Sequence, residues 1–370
     1  MRAIDWAARV AVSAQPLDPA TERMLEYRQD NAIITFDFET IGITYRYTLN
    51  VTPRRLPQTS HNQSLEITNP VLAESLYFAG GSRWYPIFER NSGTIQIENK
   101  PDLQIGLLTP ALMAIGSLLP QDDPVLEKTQ PAIAFLRSIH YYPLDEPNVV
   151  RDRNSEFLVQ ESEYAEWLTN WTNSLDPTAS VVMRLIDMSK NRKPDLEELK
   201  QLVGANGLSV LHDIEIQALS FPRTKTTANT PETQTFYLVT FHPVSSPKES
   251  RAYGNLSFGT RRILRVLVSL IFDKSSVMLL EQPEDGIHPG LLHKLIPLLK
   301  SYSDLTQVMV ASHSPTVFNR LNPKEIRLVD IDEGATSVRA LTKREIVGAE
   351  RYISEDGPLS DYIETAQEGG

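Results

Sequence analysis

The sequence contains no cysteine and no long apolar run. Without thiols it can form no disulfide framework, thiolate zinc site, iron–sulfur cluster or cysteine nucleophile. Its most apolar runs, near Val266–Phe272 and Val277–Leu280, are far shorter than the ~18 residues that a membrane-spanning helix needs. The first residues mix acidic and basic side chains with short apolar patches, unlike a secretory signal. These absences predict a cytoplasmic protein without a membrane span.

The chain also has no excess of positive charge. Its 370 residues carry 36 Lys and Arg against 47 Asp and Glu, which gives a formal net charge of −11. This balance argues against capture of nucleic acid or anionic lipid by the whole surface, although it leaves a local basic groove open. At about 150 residues per domain, the length is sufficient for at least two domains with a large core.

The first hundred residues have the pattern of a short helix followed by antiparallel strands. Ile4, Ala7, Ala8 and Ala11 recur at helical spacing before the Pro-containing segment Gln15–Thr21 interrupts it. From Ala32 to Val51 apolar and polar residues alternate, which is typical of a hairpin. Further short strands are predicted at Leu65–Thr68, Ser75–Phe78, Trp84–Arg90 and Thr94–Glu98. The last two are joined through Asn91-Ser92-Gly93, where Gly93 suits a positive φ.

Helical spacing replaces the alternation between residues 101 and 205. The candidate helices are Leu107–Leu119, Pro131–Ser138, Glu161–Leu175, Ala179–Met188 and Leu196–Val203. Asp195 stands at the cap position of the last one. Strands are predicted again at Ile214–Phe221 and Thr235–Phe241, on either side of the polar segment Pro222–Thr233, which we expect to be an exposed loop.

The last third of the sequence alternates strands with helices. The candidate helices are Gly259–Phe272, Gly290–Tyr302 and Pro315–Leu321, and the candidate strands are Val277–Leu280, Gln307–Ala311, Ile326–Asp330 and Ser337–Ala340. Such alternation predicts a parallel sheet with crossover helices. We therefore expect four parts: a helix with antiparallel strands (1–100), an inserted helical lobe (101–205), an α/β core (206–345) and a tail (346–370).

The first of three segments that carry chemistry is Asn255-Leu256-Ser257-Phe258-Gly259-Thr260, which leads directly into a helix. A Ser and a Gly at a helix start leave free backbone N–H groups at the positive end of the helix dipole, an arrangement that suits an anion. On these residues alone, simple capping of the helix is the commoner explanation.

The other two segments are apolar strands with polar residues at their C-terminal ends. Val277–Leu280 runs into Glu281-Gln282-Pro283-Glu284-Asp285-Gly286-Ile287-His288-Pro289, and Val308–Ala311 runs into Ser312-His313-Ser314-Pro315. A carboxylate at such a strand end lies where open α/β sheets bind ligands, and it can hold Mg²⁺ beside the phosphates of a nucleotide. Each segment alone fits an ordinary strand end equally well. The Ser-His-Ser run is no hydrolase triad, because adjacent residues cannot adopt the required geometry.

Together, and in this order, the three segments resemble the ATP-binding-cassette class of ATPase, in particular the SMC-like and OLD-like AAA family ATPases of bacterial defence and retron-associated operons. In this resemblance Leu256–Gly259 is the signature motif, Val277–Gln282 the Walker B strand, Asp285–Pro289 the D-loop region and His313 the switch histidine. The match covers residues 250–340. It implies an α/β ATPase head with a mostly parallel core sheet, an N-terminal antiparallel β meander and an inserted helical lobe.

The resemblance also implies a dimer or higher oligomer that binds ATP and Mg²⁺ between its heads. Ser257, Gly259 and Thr260 would bind the nucleotide held by the partner subunit, with Asp285 beside it. In the same resemblance, Glu281 would hold Mg²⁺ through water, and His313 would sense the γ-phosphate.

The sequence departs from this family first in its phosphate-binding loop. It contains no Gly-x-x-x-x-Gly-Lys-Ser/Thr, and no Gly is followed by Lys. In the family the loop lies ahead of a helix near the amino terminus, and Met1–Ser13 resembles the continuation of that helix. We therefore expect a strand and phosphate loop, on the order of 40 residues, upstream of this sequence. Without the N–H groups and Lys of that loop, affinity for ATP should be low.

The second departure is Gln282, which occupies the position of the Glu that activates the attacking water. An amide orients water but is a feeble base, so hydrolysis should be slow unless Glu284 or His313 acts in its place. Gln282, Glu284 and His313 are thus the candidate catalytic residues.

The function expected from this resemblance is an ATPase subunit that gates an associated effector, with a nuclease as the expected effector, in antiphage defence or DNA maintenance. His288, His293 and His313 form no compact HNH nuclease pattern within the chain itself. Two alternatives stay open. One is a catalytically silent scaffold with an ATPase fold. The other is a DNA-repair head that contacts phosphates through a basic cluster: Arg251, Arg261, Arg262 and Arg265.

Overall fold

The structure is a computed structural model that describes residues 1–13, 32–55, 67–143, 158–173, 181–222, 233–332 and 335–368. It divides into two compact units, one of residues 1–141 with 275–277 and one of residues 142–274 with 278–370. The predicted break at Gln15–Thr21, the start of the strand predicted from Leu65 and most of the loop Pro222–Thr233 lie outside the described residues. None of the helices in the described ranges is long and apolar enough to cross a membrane.

The first unit contains a six-stranded sheet whose strands are neighbours in chain order. The strands are β1 (Ala32–Thr40), β2 (Ile43–Arg55), β3 (Ile67–Gly80), β4 (Arg83–Asn91), β5 (Thr94–Gln96) and β6 (Leu103–Gln104). Each strand runs antiparallel to the next, so the sheet is the expected meander. Tyr45, Tyr47, Leu49 and Val51 alternate along the buried face of β2, as the period-two pattern predicts.

The turn between β4 and β5 differs from its prediction. Ser92, not Gly93, takes the positive φ, at +56°. A Cβ atom on Gly93 would lie 3.2 Å from the carbonyl oxygen of Ile105, and the Gly93 carbonyl accepts a hydrogen bond from the Ile105 amide. Glycine at position 93 therefore allows the Ile105 backbone to approach closely, and it is not needed for a left-handed turn.

Three helices complete the described part of this unit: α1 (Arg2–Ala11), α2 (Ala111–Leu118) and α3 (Pro124–Arg137). The helix predicted from Leu107 begins only at Ala111. The preceding carbonyls of residues 106, 107 and 109 instead accept hydrogen bonds from Arg90, which also pairs with Glu74 in the core at 2.5 Å. A buried guanidinium needs this many acceptors, and the loop supplies them.

The second unit begins with a three-stranded antiparallel sheet and three helices. The strands are β8 (Leu158–Gln160), β9 (Leu211–Pro222) and β10 (Thr233–Pro243), in the order β8-β10-β9, and the helices are α4 (Glu161–Asn173), α5 (Val181–Asn191) and α6 (Lys193–Val203). Helix α6 starts earlier than predicted, so Arg192 rather than Asp195 is its cap residue. Pro in the first turn favours this start, and Asp195 lies inside that turn and pairs with Arg192 at 2.9 Å.

The centre of the second unit is a strand–helix–strand crossover. Helix α7 (Phe258–Asp273) precedes β11 (Val277–Glu281), α8 (Pro289–Ser301), β12 (Gln307–Ala311) and the short α9 (Pro315–Phe318). The amide of Gln282, just past β11, donates to the carbonyl of Ala311, the last residue of β12, at 2.8 Å. Adjacent strands whose C-terminal ends meet in this way run parallel, as predicted.

Strand β12 is less buried than its sequence suggests. The first four residues of β11 are fully buried, whereas Val308, Met309 and Val310 of β12 are half-buried. In its sheet β12 is the outermost strand that the structure describes, with β11 on one side, and this position explains the exposure. Strand β7 (Ile139–Pro143) is the third strand of this sheet, in the order β12-β11-β7.

The C-terminal part departs from the predicted parallel sheet. Strands β13 (Arg327–Asp332) and β14 (Ala335–Ala340) pair antiparallel with each other as a separate two-stranded sheet. Helices α10 (Lys343–Glu355) and α11 (Leu359–Glu368) follow. A small core that includes Leu328, Ala349 and Ile363 holds this part together. The four-part division drawn from the sequence remains a prediction.

Candidate functional site

The candidate site lies at the C-terminal ends of β11 and β12. Glu281, the last residue of β11, is half-buried, and the exposed His313 follows β12 by two residues. The bond between the backbones of Gln282 and Ala311 sets the two strand ends side by side. The structure therefore brings Glu281 and His313 to one edge of the sheet, which is what the nucleotide interpretation requires.

Gln282 has a backbone conformation that is rare for a residue with a side chain. Its φ is +47°, in the left-handed region, which costs about 1–2 kcal/mol for a residue other than glycine. Two bonds hold it there: its amide donates to Ala311, and its carbonyl accepts from Nη2 of Arg262 at 2.8 Å. The chain turns sharply here, directly after the buried strand.

Glu284 connects the loops that leave the two strands. Its Oε1 accepts a hydrogen bond from the Ser312 hydroxyl at 2.7 Å and another from the His313 amide at 3.1 Å. The Ser312 hydroxyl oxygen accepts in turn from the Ser314 amide at 3.0 Å. The other carboxylate oxygen, Oε2, is buried and has no hydrogen-bond partner within the described ranges.

The segment Ser257–Thr260 forms the N-terminus of α7. Ser257 is the cap residue, and its Oγ accepts from the Thr260 amide at 3.2 Å. A Cβ atom on Gly259 would lie 2.6 Å from the carbonyl oxygen of Gly286, so only glycine allows this close approach. Gly286 itself has a φ of +69°, and the ring of Phe258 occupies the space where its Cβ would be. The helix start is therefore packed directly on the loop after β11.

These contacts bring all three predicted segments together within the second unit. Ser257 and Asp285 are exposed, and Gly259 and Thr260 are half-buried at the same helix start. His288 lies apart from this chemistry, because it caps α8 through Nδ1, which accepts from the Gly290 amide at 3.1 Å.

The structure contradicts part of the expectation that the arginine cluster contacts DNA phosphates. Arg262 is 4% exposed, and its guanidinium binds the Gln282 carbonyl. The half-buried Arg251 pairs with Glu249 at 2.9 Å, and Arg261 donates to the Gly254 carbonyl at 3.4 Å. The expectation that Arg262 contacts DNA phosphate is therefore wrong, since a buried guanidinium cannot reach a duplex. Local spacing within α7 does not predict this partner, which lies 20 residues away along the chain.

The acidic and histidine side chains at this site suit a hydrated magnesium ion better than a metal ion whose ligands all come from the protein. Across the described ranges, no group of three or more His, Asp or Glu side chains is placed to hold a metal ion. Mg²⁺ keeps several waters and binds through one or two carboxylates together with phosphates, so a single carboxylate such as Glu281 is sufficient.

Comparison with known proteins finds a family model that matches the part of the chain that holds this site. Residues 142–319 match a family model described as "AAA domain, putative AbiEii toxin, Type IV TA system". This stretch is similar to an AAA domain. The AAA-similar region includes β11, β12 and the whole of α7, and therefore every candidate site residue named above. No curated protein matches the sequence.

Solved structures of SMC head domains are among those to which the chain is similar, at low sequence identity and low TM-score. The Smc head domain with an extended coiled coil bound to the C-terminal domain of ScpA, from Pyrococcus furiosus, is 9% identical over 95% of this chain and 90% of that one, with a TM-score of 0.39. The SMC head domain from Thermotoga maritima is 9% identical over 80% and 74%, with a TM-score of 0.30. A structure from work on ATP-driven dimerization and DNA-stimulated activation of SMC ATPases is 12% identical over 47% and 98%, with a TM-score of 0.30.

Proposed function

We propose that the chain is an ATPase subunit that binds Mg²⁺-ATP between two heads and uses slow hydrolysis to gate a separate effector protein. The observation that carries the proposal is the convergence of Glu281, Gln282 and His313 with the helix start at Ser257 in one part of the AAA-similar region. Together they supply the strand-end and helix-start parts of a nucleotide site shared between two subunits.

Each residue has a separate task in this proposal. The carboxylate of Glu281 holds the hydration shell of Mg²⁺, which would neutralise phosphate charge when bound. His313, exposed beside it, contacts the terminal phosphate. Ser257, Gly259 and Thr260 offer a hydroxyl group and helix N–H groups to the nucleotide of the partner subunit, with Asp285 at the same contact. Gln282 orients the attacking water but removes its proton poorly, so the ATP-bound dimer persists.

The proposal also includes an effector and a biological setting. The family description names a toxin of a type IV toxin–antitoxin system, and the setting that we propose is antiphage defence or DNA maintenance. The proposed effector is a nuclease on another chain, and the persistent ATP-bound dimer would hold it in one state. The alternative proposal is a scaffold with the same fold that does not hydrolyse ATP. The amide of Gln282 favours this alternative if no other side chain removes the proton of the attacking water.

Mixed dimers test the shared site. The protein is produced from its full reading frame as wild type, as Ser257→Ala and as Glu281→Ala, and ATP hydrolysis is measured. Both variants should lose activity when alone. Equal mixtures should recover about a quarter of wild-type activity, because half of the dimers are mixed and each of these has one intact site of two.

The outcomes separate the proposals. If mixtures of the two variants exchange subunits but recover no ATP hydrolysis, each nucleotide site must lie within one subunit. Absence of hydrolysis by the wild type under any condition, with dimers intact, would favour the scaffold. A variant in the first unit, Gly116→Ala, whose added Cβ meets no atom within 4 Å, serves as the control for handling and mixing.

A further inference from the structure

The loop between Ala311 and Pro315 has few bonds of its own that could fix the direction of His313. The parallel pairing of β11 and β12 ends with the bond from the Gln282 amide to the Ala311 carbonyl. Beyond it, Glu284 Oε1 holds the Ser312 hydroxyl and the His313 amide, and the Ser312 hydroxyl holds the Ser314 amide. Three consecutive residues of this loop thus depend on one carboxylate oxygen.

We propose that Glu284 is a positioning residue for the switch loop 312–314 and does not serve as the general base. This inference deepens the proposed function, and only its kinetic test rests on that function. Oε1 already accepts two hydrogen bonds, which occupy its two lone pairs, and Oε2 is buried, so neither oxygen is placed to take a proton from an attacking water. What the carboxylate does is set the backbone from which the His313 side chain projects.

The chemistry of the contact predicts which substitutions matter. The carbonyl oxygen of a glutamine has two lone pairs, so Glu284→Gln can accept from both Ser312 and His313. Its amino group would replace Oε2, which has no partner among the residues described. Glu284→Ala removes both bonds. The pair of variants therefore separates acceptor geometry from negative charge.

Amide exchange tests the contact without any nucleotide. Hydrogen–deuterium exchange of the 370-residue chain is measured by mass spectrometry on peptides that cover residues 308–318, with fragmentation to single amides. The His313 amide should exchange about tenfold faster in Glu284→Ala than in wild type, and at nearly the wild-type rate in Glu284→Gln. Ser312→Ala should speed exchange of the Ser314 amide most. Unchanged exchange at His313 in Glu284→Ala would overturn the proposal.

A matched control is available in the C-terminal part of the chain. Glu345 also accepts a backbone amide, that of Thr342, at a helix start outside the site. Glu345→Ala should leave exchange at residues 312–314 unchanged. If it raised exchange there as much as Glu284→Ala did, the effect would be general loosening and the positioning role would be wrong.

The kinetic test uses the protein from its full reading frame. Glu284→Ala should lower kcat about 10- to 100-fold with little change in KM, since His313 is misdirected while nucleotide contacts elsewhere are kept. Glu284→Gln should recover much of the lost kcat. A loss in Glu284→Gln as deep as in Glu284→Ala would show that the negative charge is essential and would overturn the proposal. If the wild type hydrolyses no ATP, the proposed function fails, while amide exchange still decides the contact.

Discussion

At the scale of single residues, the site depends on two positions where the backbone restricts the side chain. Gly259 lies so close to the Gly286 carbonyl that no larger residue fits, and Gln282 adopts a left-handed conformation held by Arg262 and Ala311. Both positions join the start of α7 to the loop after β11. A change at either one should therefore alter that junction before it alters the remaining core.

Gly259→Ala should destabilise the second unit by about 1–3 kcal/mol, because its Cβ meets backbone 2.6 Å away and the backbone must shift. The matched control is Gly116→Ala, inside helix α2 with open space around it, which should be neutral or slightly stabilising. Urea unfolding followed by circular dichroism measures both. Equal midpoints for Gly259→Ala and wild type would show that the contact is looser than described.

Gln282→Glu should raise kcat for ATP in the protein from its full reading frame, because a carboxylate accepts the proton of the attacking water and an amide does not. The positive φ at this position costs a glutamate as much as a glutamine, so the substitution should leave the fold unaffected. Single-turnover hydrolysis is the measurement. Unchanged turnover would mean that the base lies elsewhere in the site.

Sequence reasoning at this scale succeeded where a residue acts through its immediate neighbours. The cap role of Ser257 follows from its place before a helix, and the structure confirms that capping contact. The partners of Arg262 and Glu284 could not be predicted, because they lie 20 and 28 residues away along the chain and depend on how the strands pair. Long-range pairing leaves no trace in local spacing.

At the scale of elements, helix α10 has the most explicit start signal. Thr342 and Glu345 form a capping box, in which each side chain binds the other's backbone amide, and Glu345 also pairs with Arg339 at 3.0 Å. The hydrogen bonds from Arg339 and from the Thr342 amide lower the pKa of Glu345 to about 2. The helix start is thus tied to the ionised carboxylate.

This pKa predicts a pH dependence. Because the folded-state pKa lies below the usual value of 4.5, the stabilising contribution is complete above that value and is lost as pH falls towards 2. Wild type should therefore exceed Glu345→Gln in urea midpoint at neutral pH, and the difference should shrink as pH falls from 4.5 towards 2. A difference that stayed constant over that interval would show that charge does not contribute.

Element boundaries were predictable where capping is local and not where tertiary contacts decide. The crossover from β11 through α8 to β12 was predicted within a few residues, since strand and helix periodicities differ clearly there. The helix predicted from Leu107 starts four residues later, because Arg90 draws the carbonyls of the preceding loop to itself. No pattern within residues 107–110 shows that a distant guanidinium will bind them.

At the scale of the whole molecule, the 370 residues supply the acidic strand end, the switch loop and the helix start of the proposed site but no Gly-Lys phosphate loop. The chain as given should therefore bind Mg²⁺-ATP weakly, in the millimolar range or above, because few backbone N–H groups and no loop lysine surround the phosphates. Isothermal titration calorimetry measures the affinity. A micromolar dissociation constant would mean that other residues cradle the nucleotide.

The half-buried strand β12 has a practical consequence for anyone who purifies this chain. Among the strands that the structure describes, β12 is an edge strand that carries Val308, Met309 and Val310, and a second copy can pair its own backbone with such an edge, which is how sheet proteins aggregate. Concentrated samples should therefore form precipitates rich in intermolecular β-structure. The variant Met309→Lys should prevent this precipitation.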